Sequence, residues 1–193
     1  MVARDVRRQT TAFNINLRCK ANGDSALTHS IRRYVTGLDA RGRSTVTDAR
    51  DIAESGGAGN VNLWMTGGPT NPLESAEFPF FPRTGQTIFR LFRIPPSGSL
   101  DRAALEKITE GFFAEVGDRS CRVDTTRHPM MHATPTVDYI LLLSGEAELL
   151  LDAGEPVKLK PHDAVVQRGV NHMWVNKGPQ DAVFLAVMIG AQA

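Results

Sequence analysis

Cysteine is scarce in this chain. There are two, Cys19 and Cys121, far apart and outside any C-x-x-C spacing. Neither a disulfide framework nor a thiolate metal site is therefore expected, and both read as reduced thiols of a cytoplasmic protein. Net charge is almost absent as well: 22 Lys and Arg against 21 Asp and Glu leave a formal +1. That removes the global field that would hold nucleic acid or an anionic membrane. No run of about eighteen apolar residues occurs, and the opening MVARDVRRQTTAFNINLRCK lacks the apolar core of a signal peptide, so neither spanning nor secretion is expected. The partners left are a small molecule or another copy of the chain. With 193 residues, 41% of them hydrophobic, the chain can bury one sizeable core. An N-terminal arm over 1–30 and a single domain over 31–193 are the expected organisation.

Helical periodicity is also rare. One stretch carries it, LDRAALEKITEGFFAEV, with Leu105, Ile108, Phe112 and Val116 at steps of three and four, Ser99 available as N-cap, and Gly117-Asp118 as the stop. Its apolar stripe reads as packing against a sheet. Everything else alternates with period two or is punctuated by turn residues. IRRYVTG, DARGR and STV read as a hairpin with Gly42 in the turn, VNLWMTG as a strand, and QTIFRLFRIPP as a strand ending at a double proline. On the last of these Arg90 faces inward, to bind a substrate carboxylate bidentately or to make a structural salt bridge. Gly56-Gly57-Ala58-Gly59 lacks the G-x-x-x-x-G-K-[ST] pattern of a phosphate loop and reads as a plain connection. The aromatic and proline-rich segment that follows carries Phe78, Phe80 and Phe81. It is either a lid over a pocket or, the reading favoured here, the apolar centre of a dimer interface.

The chemistry is concentrated in 132–176. Read as one strand, HATPTVDYILLL places His132, Thr134, Thr136, Asp138, Ile140 and Leu142 on one face and Val137, Tyr139, Leu141 and Leu143 on the other. Turns at Ser144-Gly145 and Asp152-Ala153-Gly154 then separate the short runs EAELLLD, PVKLK and 163–167. His172, Trp174 and Asn176 alternate on the next run, and AVFLAVMIGA closes the chain as a strand covered on both sides. A sheet folded back on itself brings His172 opposite His132 and Asp138. Two imidazoles and a carboxylate with open positions suit a divalent transition metal.

These residues resemble the cupin superfamily, whose motifs read G-x5-H-x-H-x3,4-E-x6-G and G-x5-P-x-G-x2-H-x3-N. His132 falls on the first histidine, Thr134 on the second, Asp138 on the glutamate, and Gly145 follows after six residues. Gln167-Arg168-Gly169 stands at P-x-G, followed by His172 and Asn176. The resemblance implies an all-β fold, a double-stranded β-helix or jelly-roll barrel with an N-terminal strand extension and one amphipathic helix. It implies a metal site of His132, Asp138 and His172 for Mn, Fe, Ni, Co or Zn, with Thr134 standing where a ligand is usual, and it implies a homodimer. Gln167, Arg90, Thr134 and Trp174 are the pocket candidates, Trp174 doubling as a core aromatic. His29, His128 and His162 are read as bystanders.

Three functions follow from that site. The first is a metal-dependent enzyme performing a lyase-type step, decarboxylation or dehydration, or else a dioxygenation, on a small organic acid or oxygenated aromatic. The second is a metal-free cupin that binds a small molecule without turning it over. The third is a scaffold whose cavity is filled by its own side chains.

Overall fold

A computed structural model describes residues 30–53, 59–67, 79–116 and 119–191. Cys19, His29, the glycines at 56–57 and Phe78 lie outside the described residues. In chain order the elements are β1 (Ile31–Leu38), β2 (Ser44–Ile52), β3 (Val61–Thr66), β4 (Thr87–Ile94), α1 (Arg102–Val116), β5 (Thr136–Ser144), β6 (Ala147–Leu151), β7 (Val157–Leu159), β8 (Ala164–Arg168), β9 (His172–Val175) and β10 (Ala182–Gly190).

The strands form a five-stranded antiparallel sheet in the order β3-β4-β10-β5-β8, a three-stranded sheet β7-β6-β9, and the separate hairpin β1-β2. Alternation drives this arrangement. Along β5, Thr136, Asp138, Ile140 and Leu142 are buried, while Tyr139 and Leu143 are exposed. The buried face meets β6, β7 and β9 in one core of Ile140, Leu142, Ala147, Leu149, Leu159, Trp174, Phe184 and Ala186, so the two sheets close face to face as a jelly roll. Each fully buried Phe or Leu in such a core stabilises by about 1.5–3 kcal/mol. β10 is the central strand of its sheet, but its burial alternates, with Ala182, Phe184 and Ala186 buried and the residues between them only partly covered, so it is not covered equally on both sides as its nearly continuous apolar run led one to expect.

The hairpin turns where expected, with Gly42 at φ +75° and the Asp39 carboxylate accepting the Arg41 and Arg43 amides. Its base, Ile31 and Ile52, packs on Val61, Leu63 and Leu91. The turn between β5 and β6 needs Gly145: φ is +79°, and a Cβ would sit 2.5 Å from the Asp181 carbonyl oxygen.

Two local expectations differ from the structure. The cap of α1 is Asp101, whose Oδ1 accepts the Ala104 amide at 2.8 Å, and not Ser99. Aspartate two residues further on has the same capping chemistry and the right reach. The buried stripe of α1 centres on Thr109 and Phe113, one position beyond the predicted Ile108 and Phe112. Among the described residues no helix is long and apolar enough to cross a membrane.

A candidate histidine site inside the barrel

The strand that carries the first motif is interrupted before it begins. Pro135 has no amide to pair, and the Thr136 amide turns back onto the Thr134 carbonyl at 2.8 Å. His132 therefore does not belong to β5, as a single period-two run requires. It forms an isolated antiparallel bridge with His172. The two residues exchange both main-chain hydrogen bonds, at 3.1 Å and 2.9 Å.

This bridge holds the imidazoles together. Their ring centroids are 4.6 Å apart. Nδ1 of His132 lies 2.9 Å from the Met130 carbonyl, and Nδ1 of His172 lies 2.9 Å from the Val170 carbonyl. A carbonyl only accepts, so both Nδ1 atoms carry the proton and each neutral ring keeps its lone pair on Nε2. Burial lowers both pKa values, and the proximity of His132 adds to the burial effect on His172, which falls to about 3. Both rings are therefore neutral at physiological pH. Gly169, at φ +61°, allows the chain to pass the Thr134 carbonyl on its way to His172.

Aromatic rings surround the pair. Phe80 lies 5.3 Å and Phe113 6.1 Å from the His132 ring, and Trp174 meets His172 edge-on at 5.9 Å. Trp174 also packs 5.1 Å from Phe184, so it serves core and site together.

Asp138 is buried at 4% exposure, with one carboxylate oxygen left without a hydrogen-bond partner. Desolvation raises its pKa to about 6, against the opposing pull of the Thr136 hydroxyl and the Arg90 charge. Its ladder neighbours are Met188 and Gln167. Gln167 is buried too, and its amide donates to the Val170 carbonyl at 3.1 Å. Thr134 shares a 2.8 Å hydroxyl contact with Thr136.

The structure thus brings His132 and His172 together and leaves Asp138 apart. Among the described residues no group of three or more His, Cys, Asp or Glu side chains is placed to hold a metal ion. The donor set suits a divalent transition metal as two neutral nitrogens of matched tautomer; the third protein ligand implied by the family pattern is not gathered in. Asp138 is one methylene shorter than the glutamate of that pattern and sits on a strand that starts after the break at Pro135.

Arg90 does face inward, at 4% exposure, and three of its hydrogen bonds go to neutral acceptors. Nε donates to Asn62 Oδ1 at 2.7 Å, and the two terminal nitrogens donate to the Phe80 and Pro79 carbonyls at 2.9 Å and 2.5 Å. Burial lowers its pKa to about 10. The contact of Phe80 with His132 accords with the lid alternative for its segment and not with the favoured interface, whereas the contact of Phe113 escaped the sequence reading, although the doublet Phe112-Phe113 marks a place where one ring of two turns inward. His128 is 9% exposed, and its Nδ1 accepts the Met130 amide. His162 sits exposed in its turn at φ +77°.

Comparison with known proteins fits this picture. No family model matches the chain. It is 30% identical over 162 residues to phomopsin biosynthesis cluster protein C' of Diaporthe leptostromiformis, covering 81% of this chain and 76% of that protein. A 46-residue stretch, 24% of each chain, is 41% identical to a cupin-domain-containing oxidoreductase of Neurospora crassa. Among solved structures, an RmlC-like cupin from Methanocaldococcus jannaschii aligns over 56% of this chain and 73% of its own, at 14% identity and a TM-score of 0.36. The fold is a cupin-type jelly roll that carries the paired motif histidines, and the chain belongs to the family of the phomopsin cluster protein.

Proposed function

We propose that this chain is a small-molecule enzyme of natural-product biosynthesis, in which Nε2 of His132 and of His172 hold a divalent transition metal. The observation that carries the reading is the matched tautomer of two buried, neutral imidazoles fixed side by side by main-chain bonds. Bound there, Mn, Fe, Ni, Co or Zn supplies Lewis-acid polarisation of a substrate oxygen, suited to a lyase-type decarboxylation or dehydration of a small organic acid or oxygenated aromatic. In this reading Asp138, buried in the barrel wall with its pKa raised to about 6 by desolvation, holds or gives up a proton. The relative's place in a biosynthesis cluster supports a natural-product substrate, and the oxidoreductase name of the shorter match keeps dioxygenation as the variant chemistry.

A second reading, a metal-free ligand-binding cupin, is favoured by one observation: the described residues supply no third ligand beside the pair. Metal analysis after reconstitution separates the two. The enzyme reading expects one equivalent of metal in the wild type, its loss in His132→Ala and His172→Ala, and its retention in Asp138→Asn. A wild type that takes up no stoichiometric metal overturns it and leaves the binding cupin.

The homodimer reading finds its support away from Phe80, which is turned inward. The outward face of the large sheet is apolar across strands in the row Phe89, Val187, Tyr139 and Val166, with Tyr139 and Val166 more than half exposed. Tyr139→Lys with Val166→Lys is expected to yield monomers in sedimentation.

A further inference from the structure

Arg90 is a charged side chain buried in the barrel wall, and three of its hydrogen bonds go to neutral acceptors while the charge of Asp138 acts on it as well. One is the Asn62 amide oxygen on the neighbouring strand, and two are main-chain carbonyls of Pro79 and Phe80, eleven and ten residues upstream. What the arrangement secures is position. Nε is fixed by Asn62, so the planar fork has one orientation, and in that orientation both terminal nitrogens grip consecutive peptide units.

The side chain on the second of those units is Phe80. Its ring lies 5.3 Å from His132, 5.4 Å from Phe112 and 6.0 Å from Phe113. Phe113 is itself fully buried and capped by the Arg122 guanidinium at 5.3 Å. One side of His132 is thus walled by two aromatic rings, one on a rigid helix and one on a segment that Arg90 ties to the sheet.

We propose that Phe80 is a specificity-determining wall of the His132–His172 site, that Arg90 with Asn62 is the positioning pair that holds it there, and that the site takes a flat oxygenated aromatic and not a small aliphatic carboxylate. Two features support that class. The inward cation that a carboxylate would need is already engaged by main-chain carbonyls, and the wall it positions offers ring faces and edges for stacking. The substrate class rests on the proposed function, whereas the wall and its positioning do not.

Accessibility of His132 in the metal-free full-length protein tests the wall. Carbethoxylation by diethyl pyrocarbonate is followed site by site by mass spectrometry, with exposed His162 as internal reference. Phe80→Ala is expected to speed modification of His132 about tenfold relative to His162, equivalent to about 1.4 kcal/mol of lost closure. Arg90→Met should do the same, Arg90→Lys should fall between, and Arg90→Met combined with Phe80→Ala should match Phe80→Ala alone. A wild-type rate in Arg90→Met beside a raised rate in Phe80→Ala removes the positioning role, and no change in Phe80→Ala removes the wall. If Arg90→Met does not fold, Asn62→Ala and Arg90→Lys carry the same test. For the ligand class, catechol should raise the melting temperature of the wild type and not of Phe80→Ala. Malonate stabilising the wild type as strongly as catechol overturns the aromatic assignment. Failure of the protein to take up metal would sink the proposed function and leave the accessibility result standing.

Discussion

The two halves of the barrel interior are built from the same strands and differ in kind. Along the buried face of β5, Thr136 and Asp138 give way to Ile140 and Leu142. On β4 Arg90 is followed two residues on by Phe92, on β9 His172 by Trp174, and on β8 Gln167 is preceded by Val165. On each of these strands a buried polar residue has an apolar neighbour one inward step away. The apolar half is a packed core in which Phe92 and Phe184 stack at 4.9 Å. The polar half holds a depressed imidazole, a raised carboxyl and a buried guanidinium, all displaced from their ordinary pKa by the same loss of water. The apolar half supplies the stability that the desolvated half consumes.

That division can be broken from either side. The largest effect belongs to the core: Phe184→Ala should cost about 3–5 kcal/mol in urea unfolding, with metal uptake per folded molecule unchanged. Next comes His172, read in metal-free protein. The unfolded imidazole protonates near 6.5 and the folded one only near 3, so the wild type loses stability as pH falls through that window, by up to about 4 kcal/mol. His172→Gln should lack this acid limb. Asp138 has the opposite sign. Its folded carboxyl holds a proton up to about pH 6 while the unfolded one releases it near 3.8, so stability is lost as pH rises between them, by about 3 kcal/mol. In Asp138→Asn that loss disappears. Because the two slopes oppose each other between about pH 4 and 6, the wild-type profile there should be flatter than that of either variant. The smallest of the four effects is Asn176→Ala, about 2 kcal/mol in the same unfolding assay, without change in metal uptake. Asn176 is fully buried, donates to the Ile94 and Gln180 carbonyls, and accepts the Gly178 amide, so the motif asparagine is a strut between strand ends.

The apolar half was the more legible of the two in the sequence. Alternation is a local signal, so the inward set Ile140 and Leu142, the outward Tyr139, the turn at Gly145 and the pairing of His172 with Trp174 on one face all follow from neighbours a few residues away. The polar half depends on contacts that leave no such trace. Pro135 breaks the run that placed His132 and Asp138 on one strand, and only the fold shows that the released segment bridges to His172. Two partners of Arg90 are main-chain carbonyl oxygens, which every residue possesses, so nothing in the text pointed to a clamp on Pro79 and Phe80. Parity identified which side chains point inward, but not what they meet.

Main-chain pairing of residues 132 and 172 has one more implication. The backbone itself introduces these two positions to each other, through a reciprocal pair of amide–carbonyl bonds that does not depend on what the side chains are. The bridge is therefore a socket with interchangeable fittings. Cysteine, aspartate or a second kind of ligand installed at either position would arrive at the same address, so new chemistry can be tried here without teaching the chain a new fold.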